Sequence, residues 1–129
     1  MFKLIKINNS PSNTPEIEKV RKLVTLNMVA GEAVLLESGR VARCTAYDRP
    51  THITLHEAKA GDNYVYCYRV TSDMIFEADC YGTSEIIPGD LFPLVDNGTK
   101  SMIGVAEPEM EGPATALGSN GKKVILYFK

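Results

Sequence analysis

The chain has 129 residues, the length of one domain that buries about two thirds of its unfolded surface, so neither a metal nor a disulfide is needed for its stability. Its net charge of −2 excludes the overall basic character of a domain that binds duplex nucleic acid. The three cysteines are odd in number and form no C-x-x-C pair, which argues against a disulfide framework or a zinc ribbon.

A polar, proline-containing segment divides the chain into an N-terminal strand and arm, residues 1–22, and a single β domain, residues 23–129. Residues 1–23 carry a net charge of +3, which leaves −5 on the remainder. A basic segment on an acidic body suits electrostatic docking on another acidic surface.

The first residues predict a short strand followed by an exposed connection. Phe2–Ile7 is too short an apolar run for a signal peptide or a membrane span, so we expect a soluble chain that is not exported. Asn8–Pro15 is otherwise polar and has two prolines, the composition of an exposed arm. Thr14 and Pro15 suit the cap and first position of a short helix that runs through Lys22.

Three glycine–acid pairs recur at nearly even spacing: Gly31-Glu32, Gly61-Asp62 and Gly89-Asp90. Each pair precedes a stretch of period two, so the chain is predicted to form three hairpin units in series. The acids could be taken for a cation-binding cluster. We favour a role in turns, because glycine supplies the positive φ and a short acid accepts hydrogen bonds from neighbouring backbone N–H groups.

The first two units give the clearest strands. Ser38-Gly39 between two apolar runs predicts a tight hairpin, and Thr51–Glu57 reads as a strand with Ile53 and Leu55 on one face. The second unit begins with Tyr64–Val70, in which Tyr64, Tyr66 and Tyr68 share a face, and it returns through Met74–Cys80.

The third unit is a hairpin followed by a loop. Leu91–Val95 is predicted to return through Met102–Ala106, and Pro93 places the outgoing strand at a sheet edge or bulge. Residues 107–121 read as a long surface loop, and a terminal strand ends at Phe128. The predicted fold is mainly β: serial hairpins that form a small, partly open barrel or sandwich, β-clip-like, with an extended N-terminal arm.

No residues combine into a clear chemical site. His52 and His56 would lie about 13 Å apart on one strand, too far to share a metal ion. Cys44 with Asp48 and a histidine lacks the loops that accompany a nucleophile. We therefore predict no catalytic residue, no metal ligand and no cofactor. The tyrosine stripe could stack nucleic-acid bases, but its nearby charges in sequence are mostly acidic.

The chain resembles the small head-decoration, or capsid cement, proteins of tailed bacteriophages over roughly residues 24–128. The resemblance is carried by Ala30–Val34, Gly39–Val41, Ala60–Asp62, Pro88–Leu91, Gly104–Ala106 and Val124–Leu126. The chain departs from many relatives in the tyrosines and cysteines of residues 64–80 and in the strand of His52.

The resemblance implies a non-enzymatic protein that binds the major capsid protein on the outer capsid surface of the virion, after assembly in the host cytoplasm. Members often bind as trimers, so a homotrimer is expected, with neither nucleic acid nor membrane as a partner. The arm and the 107–121 loop would supply the contacts: Lys3, Lys6, Pro11, Pro15, Arg21, Lys22, Glu109, Met110 and Pro113. Two alternatives stay open: a ligand-binding or enzymatic β module near Cys44, His52 and His56, and a binder of single-stranded nucleic acid.

Overall fold

The computed structural model describes residues 1–8, 14–96, 98 and 100–129, and these form twelve β-strands and no helix. No helix in this part of the chain could therefore cross a membrane. The strands are β1 (Lys3–Ile7), β2 (Ile17–Arg21), β3 (Ala33–Glu37), β4 (Arg40–Arg43), β5 (His52–Thr54), β6 (Tyr64–Arg69), β7 (Met74–Cys80), β8 (Leu91–Phe92), β9 (Leu94–Val95), β10 (Gly104–Val105), β11 (Ala114–Asn120) and β12 (Lys123–Phe128).

Five strands form a nearly closed barrel. They run in the order β2-β6-β5-β3-β4, with every pair antiparallel. A parallel bridge between Lys22 and Val41 joins the two edge strands, and Leu23 N–H donates to the Val41 carbonyl at 3.2 Å. The interior is filled by one methionine together with alanine and valine side chains. These are Met28, Val34, Val41, Ala58 and Val65.

A second sheet of seven strands packs on the outside of this barrel. Its order is β8-β11-β12-β7-β10-β9, and β1 also pairs with β7. The main core lies between the two sheets, where Tyr68 of the barrel stacks on Phe76 at 6.4 Å between ring centroids. Phe128 contacts both Phe2 and Phe76, so the chain termini are part of the core. The mainly β prediction is confirmed.

The predicted turns agree with the structure only in part. The second predicted hairpin is wrong, because β6 lies in the barrel and β7 lies in the second sheet, so Tyr64–Val70 does not pair with Met74–Cys80. Ser38 and Gly39 have φ of 53° and 79°, as a two-residue primed turn requires, and they join β3 to β4. Pro93 separates β8 from β9, and both short strands lie at sheet edges, as its missing N–H predicted. The β9–β10 hairpin forms with Leu94 opposite Val105, although residues 97 and 99 of its predicted turn lie outside the described residues.

Two of the three glycine–acid pairs show the predicted turn hydrogen bond. Gly31, Gly61 and Gly89 all have positive φ, as predicted. Asp62 accepts a hydrogen bond from the Lys59 N–H at 2.9 Å, which is the expected turn role. Glu32 likewise accepts a hydrogen bond from the Val29 N–H at 3.2 Å, so it also has the turn role, although unlike Asp62 it is fully buried.

The strand predicted for Phe2–Ile7 forms as β1, whereas part of the predicted arm is a second strand, β2. β1 pairs with β7 in the second sheet, and β2 pairs with β6 in the barrel. The expected short helix through Lys22 is wrong. Residues 17–21 form a strand instead, and the side chain of Val20 packs against the barrel interior. Residues 9–13, which include Pro11, lie outside the described residues.

Two further predictions are corrected. The strand expected over Thr51–Glu57 ends at Thr54, and Leu55 is exposed. The loop expected over 107–121 ends before β11, because Ala114 and Ala116 are small enough to be buried between β12 and β8. The glycines and the proline of this segment interrupt the alternation of apolar and polar residues that would have predicted the strand.

Candidate binding surfaces

The predicted interface residues fall in several places. Lys3, Lys6 and Arg21 are exposed on β1 and β2, and Glu109 and Met110 are exposed on the loop before β11. Pro15 and Pro113 are half-buried. Pro11 lies outside the described residues. The exposed members therefore belong to separate surfaces rather than to one arm and one loop.

Lys22 is a correction, because its side chain is only 2% exposed. Its ammonium Nζ donates to the carbonyl oxygens of Leu23, Lys59 and Asp62 at 3.0 to 3.1 Å. Burial lowers the pKa of Lys22, and the charge of Asp62 opposes that change. Lys22 thus holds chain segments together by hydrogen bonds at one end of the barrel, and its charge is not available to a partner.

An apolar groove lies where the N-terminal strand crosses the barrel. We call it the N-terminal groove. Its volume is about 270 Å³. Met1 and Leu55 expose 52% and 40% of their surface there, and the predicted interface residues Lys3 and Pro15 line it as well. The full lining is Met1, Phe2, Lys3, Leu4, Pro15, Gly31, Ile53, Thr54, Leu55 and Tyr68.

A second concavity, the basic groove, opens beside β2 and the end of β4. Its volume is about 310 Å³, and Arg21, Arg40 and Tyr64 are in its lining. The Arg21 guanidinium lies 5.8 Å from the Tyr64 ring centroid, and the Lys19 ammonium lies 4.6 Å from it. Both distances are within the range of cation–π attraction. The groove therefore combines the guanidinium groups of Arg21 and Arg40 with the ring of Tyr64, and the Lys19 ammonium lies over that ring.

The register of the barrel explains this grouping. Lys19 lies opposite Tyr66 and Arg21 opposite Tyr64, so these side chains share one face of the sheet. Tyr64 and Tyr66 are 41% and 47% exposed, whereas Tyr68 is buried under the second sheet. Sequence reasoning placed mostly acids near the tyrosines, because the cations come from a distant segment that was expected to be an arm.

An exposed acidic turn precedes β11. Met110 is 92% exposed and stands between Glu109 and Glu111. Gly112 N–H donates to the Glu109 carbonyl at 3.0 Å, which closes the turn. The Tyr47 hydroxyl donates to the Glu109 carboxylate, so this side of the turn is anchored to the barrel. The structure thus presents a large apolar side chain to solvent on a closed turn.

Gly112 fixes the turn against the second sheet. A Cβ on Gly112 would lie 2.6 Å from the backbone nitrogen of Phe92 and closer still to its carbonyl group. Glu109 N–H also donates to the Leu91 carbonyl at 2.9 Å. Only a residue without a side chain lets the turn approach β8 this closely.

We expect Gly112→Ala to destabilise the protein by about 1–3 kcal/mol, because the added methyl group forces the backbone of the turn away from Phe92. The measurement is urea unfolding followed by circular dichroism. Gly118→Ala is the matched control, since a Cβ there meets nothing within 4 Å. Equal stability of the two variants would contradict the packing role of Gly112.

His52 is buried and held on both sides. One ring nitrogen, Nε2, lies 2.9 Å from Glu18 Oε2, and the other, Nδ1, lies 2.9 Å from Thr51 Oγ1. Burial lowers the pKa of His52, although Glu18 opposes the change. Burial also tends to raise the pKa of Glu18, but hydrogen bonds from His52 and Arg69 outweigh it and lower that pKa.

The other groups considered for catalysis have different partners. His56 Nδ1 donates to the Glu57 carbonyl at 2.8 Å, and its Nε2 accepts from the Tyr66 N–H at 3.0 Å. Burial, with the charges of Asp48 and Glu32, raises the pKa of the Cys44 thiol to about 12, so it is protonated at neutral pH. Among the described residues, no group of three or more histidines, cysteines or acids is arranged to hold a metal ion.

Comparisons with known proteins give no match: no protein family matches the chain, and no curated protein is similar to it in sequence. The geometry of the three surfaces is therefore the basis for assigning a role. Each offers contacts suited to a protein partner, since aromatic residues, methionine and arginine are enriched in protein interfaces.

Proposed function

We propose that the chain is a structural decoration protein that binds the outer surface of a bacteriophage capsid through the major capsid protein. The supporting observation is the N-terminal groove. It offers exposed apolar side chains, among them Met1 and Leu55, on a body in which the N-terminal strand is built into the second sheet. A stiff body with an apolar docking site loses little conformational entropy on binding, which suits a cement protein.

The charges around this groove favour an acidic partner surface. Lys3 lines the groove, and the exposed Lys6 follows it on β1. Ile17 is 57% exposed at the start of β2 and extends the apolar surface beyond Pro15. The proposed contact thus has an apolar centre and a basic rim, the usual organisation of a protein interface.

Binding to assembled shells tests the proposal. We expect the purified protein to co-sediment with empty shells of the major capsid protein of the same phage, and to saturate at a fixed ratio to shell subunits. Leu55→Asp should weaken this binding at least about tenfold, because it places a charge in the apolar groove.

Leu117→Asp is the matched control, because Leu117 is 45% exposed and lies on β11, outside the groove lining. It should bind shells like the unaltered chain. Absence of co-sedimentation would overturn the proposed function. Equal loss in both leucine variants would overturn the assignment of the N-terminal groove as the contact.

A further inference from the structure

The basic groove holds cations whose charge is available to a partner. Arg21 and Arg40 line the groove, and Lys19 lies beside it over Tyr64. All three are exposed, and within the described ranges none of them forms a salt bridge. Lys22 lines the same groove, but its ammonium is bound to three backbone carbonyls and adds no donor. The exposed ring of Tyr64 lies beneath Lys19 and Arg21. The fitting ligand is therefore an acidic segment with an apolar side chain.

The acidic turn of the same chain has that chemistry. Met110 projects between two acids, and its 92% exposure shows that it does not occupy the groove of its own copy. The turn is fixed by Gly112 against Phe92, so it loses little conformational entropy when it docks. Glu107, a third acid nearby in sequence, is engaged elsewhere. Its carboxylate accepts hydrogen bonds from Thr83 and Ser84, which lower its pKa to about 2.

We propose that copies of the chain associate head to tail, with the acidic turn of one copy in the basic groove of the next. Met110 would lie against the Tyr64 ring, since a thioether packs favourably on an aromatic face. Glu111 would pair with Lys19. Glu109, which accepts from Tyr47 through one carboxylate oxygen, would pair with Arg21 or Arg40 through the other, because carboxylate–guanidinium hydrogen bonds are charge-assisted. Different surfaces meet in such a contact, so the product is a ring or an open chain rather than a two-fold dimer.

Sedimentation velocity of the purified full chain, without shells, tests this contact. We expect the mean mass to rise with protein concentration from about 5 to 500 μM, and high salt to reduce the association. Met110→Ala should weaken it about tenfold. Lys19→Glu and Glu111→Lys should each weaken it as well, and an equimolar mixture of these two variants should restore it, because the reversed charges complement each other.

Lys122→Glu is the charge-matched control, because Lys122 is exposed between β11 and β12 and lies outside the groove lining. It should associate like the unaltered chain. A monomer at every concentration would overturn the proposal, and so would association that ignores all three interface variants. Salt-dependent binding of a single-stranded oligonucleotide that requires Lys19, without self-association, would assign the groove to nucleic acid instead. None of these outcomes bears on shell binding through Leu55.

Discussion

Replacing Lys22 with methionine is expected to lower the free energy of unfolding by about 3–5 kcal/mol. The Lys22 ammonium satisfies the carbonyls of Leu23, Lys59 and Asp62, and methionine keeps an apolar stem of similar length without the donors. The carbonyls would then lose a charge-assisted partner in a site where the side chain is almost fully buried. Urea unfolding at pH 7 measures the loss.

The decrease in the free energy of unfolding should be large because Lys22 lies where the barrel closes. Its backbone N–H donates to the Asn63 carbonyl at 3.0 Å, and the bridge to Val41 joins the edge strands at the same residue. Loss of the ammonium therefore breaks the link between the end of β2 and the turn of residues 59–62.

Lys19→Met is the control for this experiment, because Lys19 is exposed on the same strand and lies over Tyr64. Its effect should stay within about 0.5–1 kcal/mol, the range of an exposed cation–π contact. A loss below about 1 kcal/mol for Lys22→Met would show that the carbonyls find water as an equivalent partner.

The strands and turns that were predictable from sequence depend on local chemistry. Ser38-Gly39 needs only positive φ at adjacent positions, and Pro93 interrupts hydrogen bonding wherever it stands in a strand. The pairing of β2 with β6 depends on residues more than 40 positions apart, and no local pattern specifies it. The same long-range pairing buries Lys22, which in sequence is indistinguishable from a surface lysine.

Among the candidate surfaces, too, some depend on local sequence and others on long-range strand pairing. Glu109 and Met110 were predicted contacts because two acids around an exposed methionine are visible in the sequence. The basic groove was missed, since closure of the barrel brings Arg21 of β2 beside Arg40 of the β3–β4 hairpin. Such a site depends on which strands are neighbours in the barrel. The alternation of apolar and polar residues within one strand does not reveal this.

The buried His52 gives a second large effect, a loss of stability in acid. Burial lowers the pKa of folded His52 below its ordinary value of 6.5. As the pH falls below 6.5, the unfolded chain binds the proton first, so the free energy of unfolding decreases. The decrease continues until the folded pKa is reached, with a slope of up to about 1.4 kcal/mol per pH unit.

Other groups near this window change stability in both directions. Glu18 has a lowered pKa, so its contribution is present above 4.5 and is lost at lower pH. Burial raises the pKa of Glu32, against hydrogen bonds to Val29 and Ser101, so stability falls as the pH rises from 4.5 through its folded pKa. Because His52 itself lowers the pKa of Glu18, the unaltered chain and a His52 variant are compared above pH 5, where the contribution of Glu18 is still present.

We expect His52→Gln to be less stable at pH 7.5, because glutamine replaces a ring that bridges Thr51 and Glu18. From pH 6.5 to 5 it should lose stability less steeply than the unaltered chain. Urea unfolding midpoints at half-unit intervals of pH measure both slopes. A His52→Gln slope as steep as that of the unaltered chain would mean that His52 binds a proton equally well in the folded and the unfolded chain.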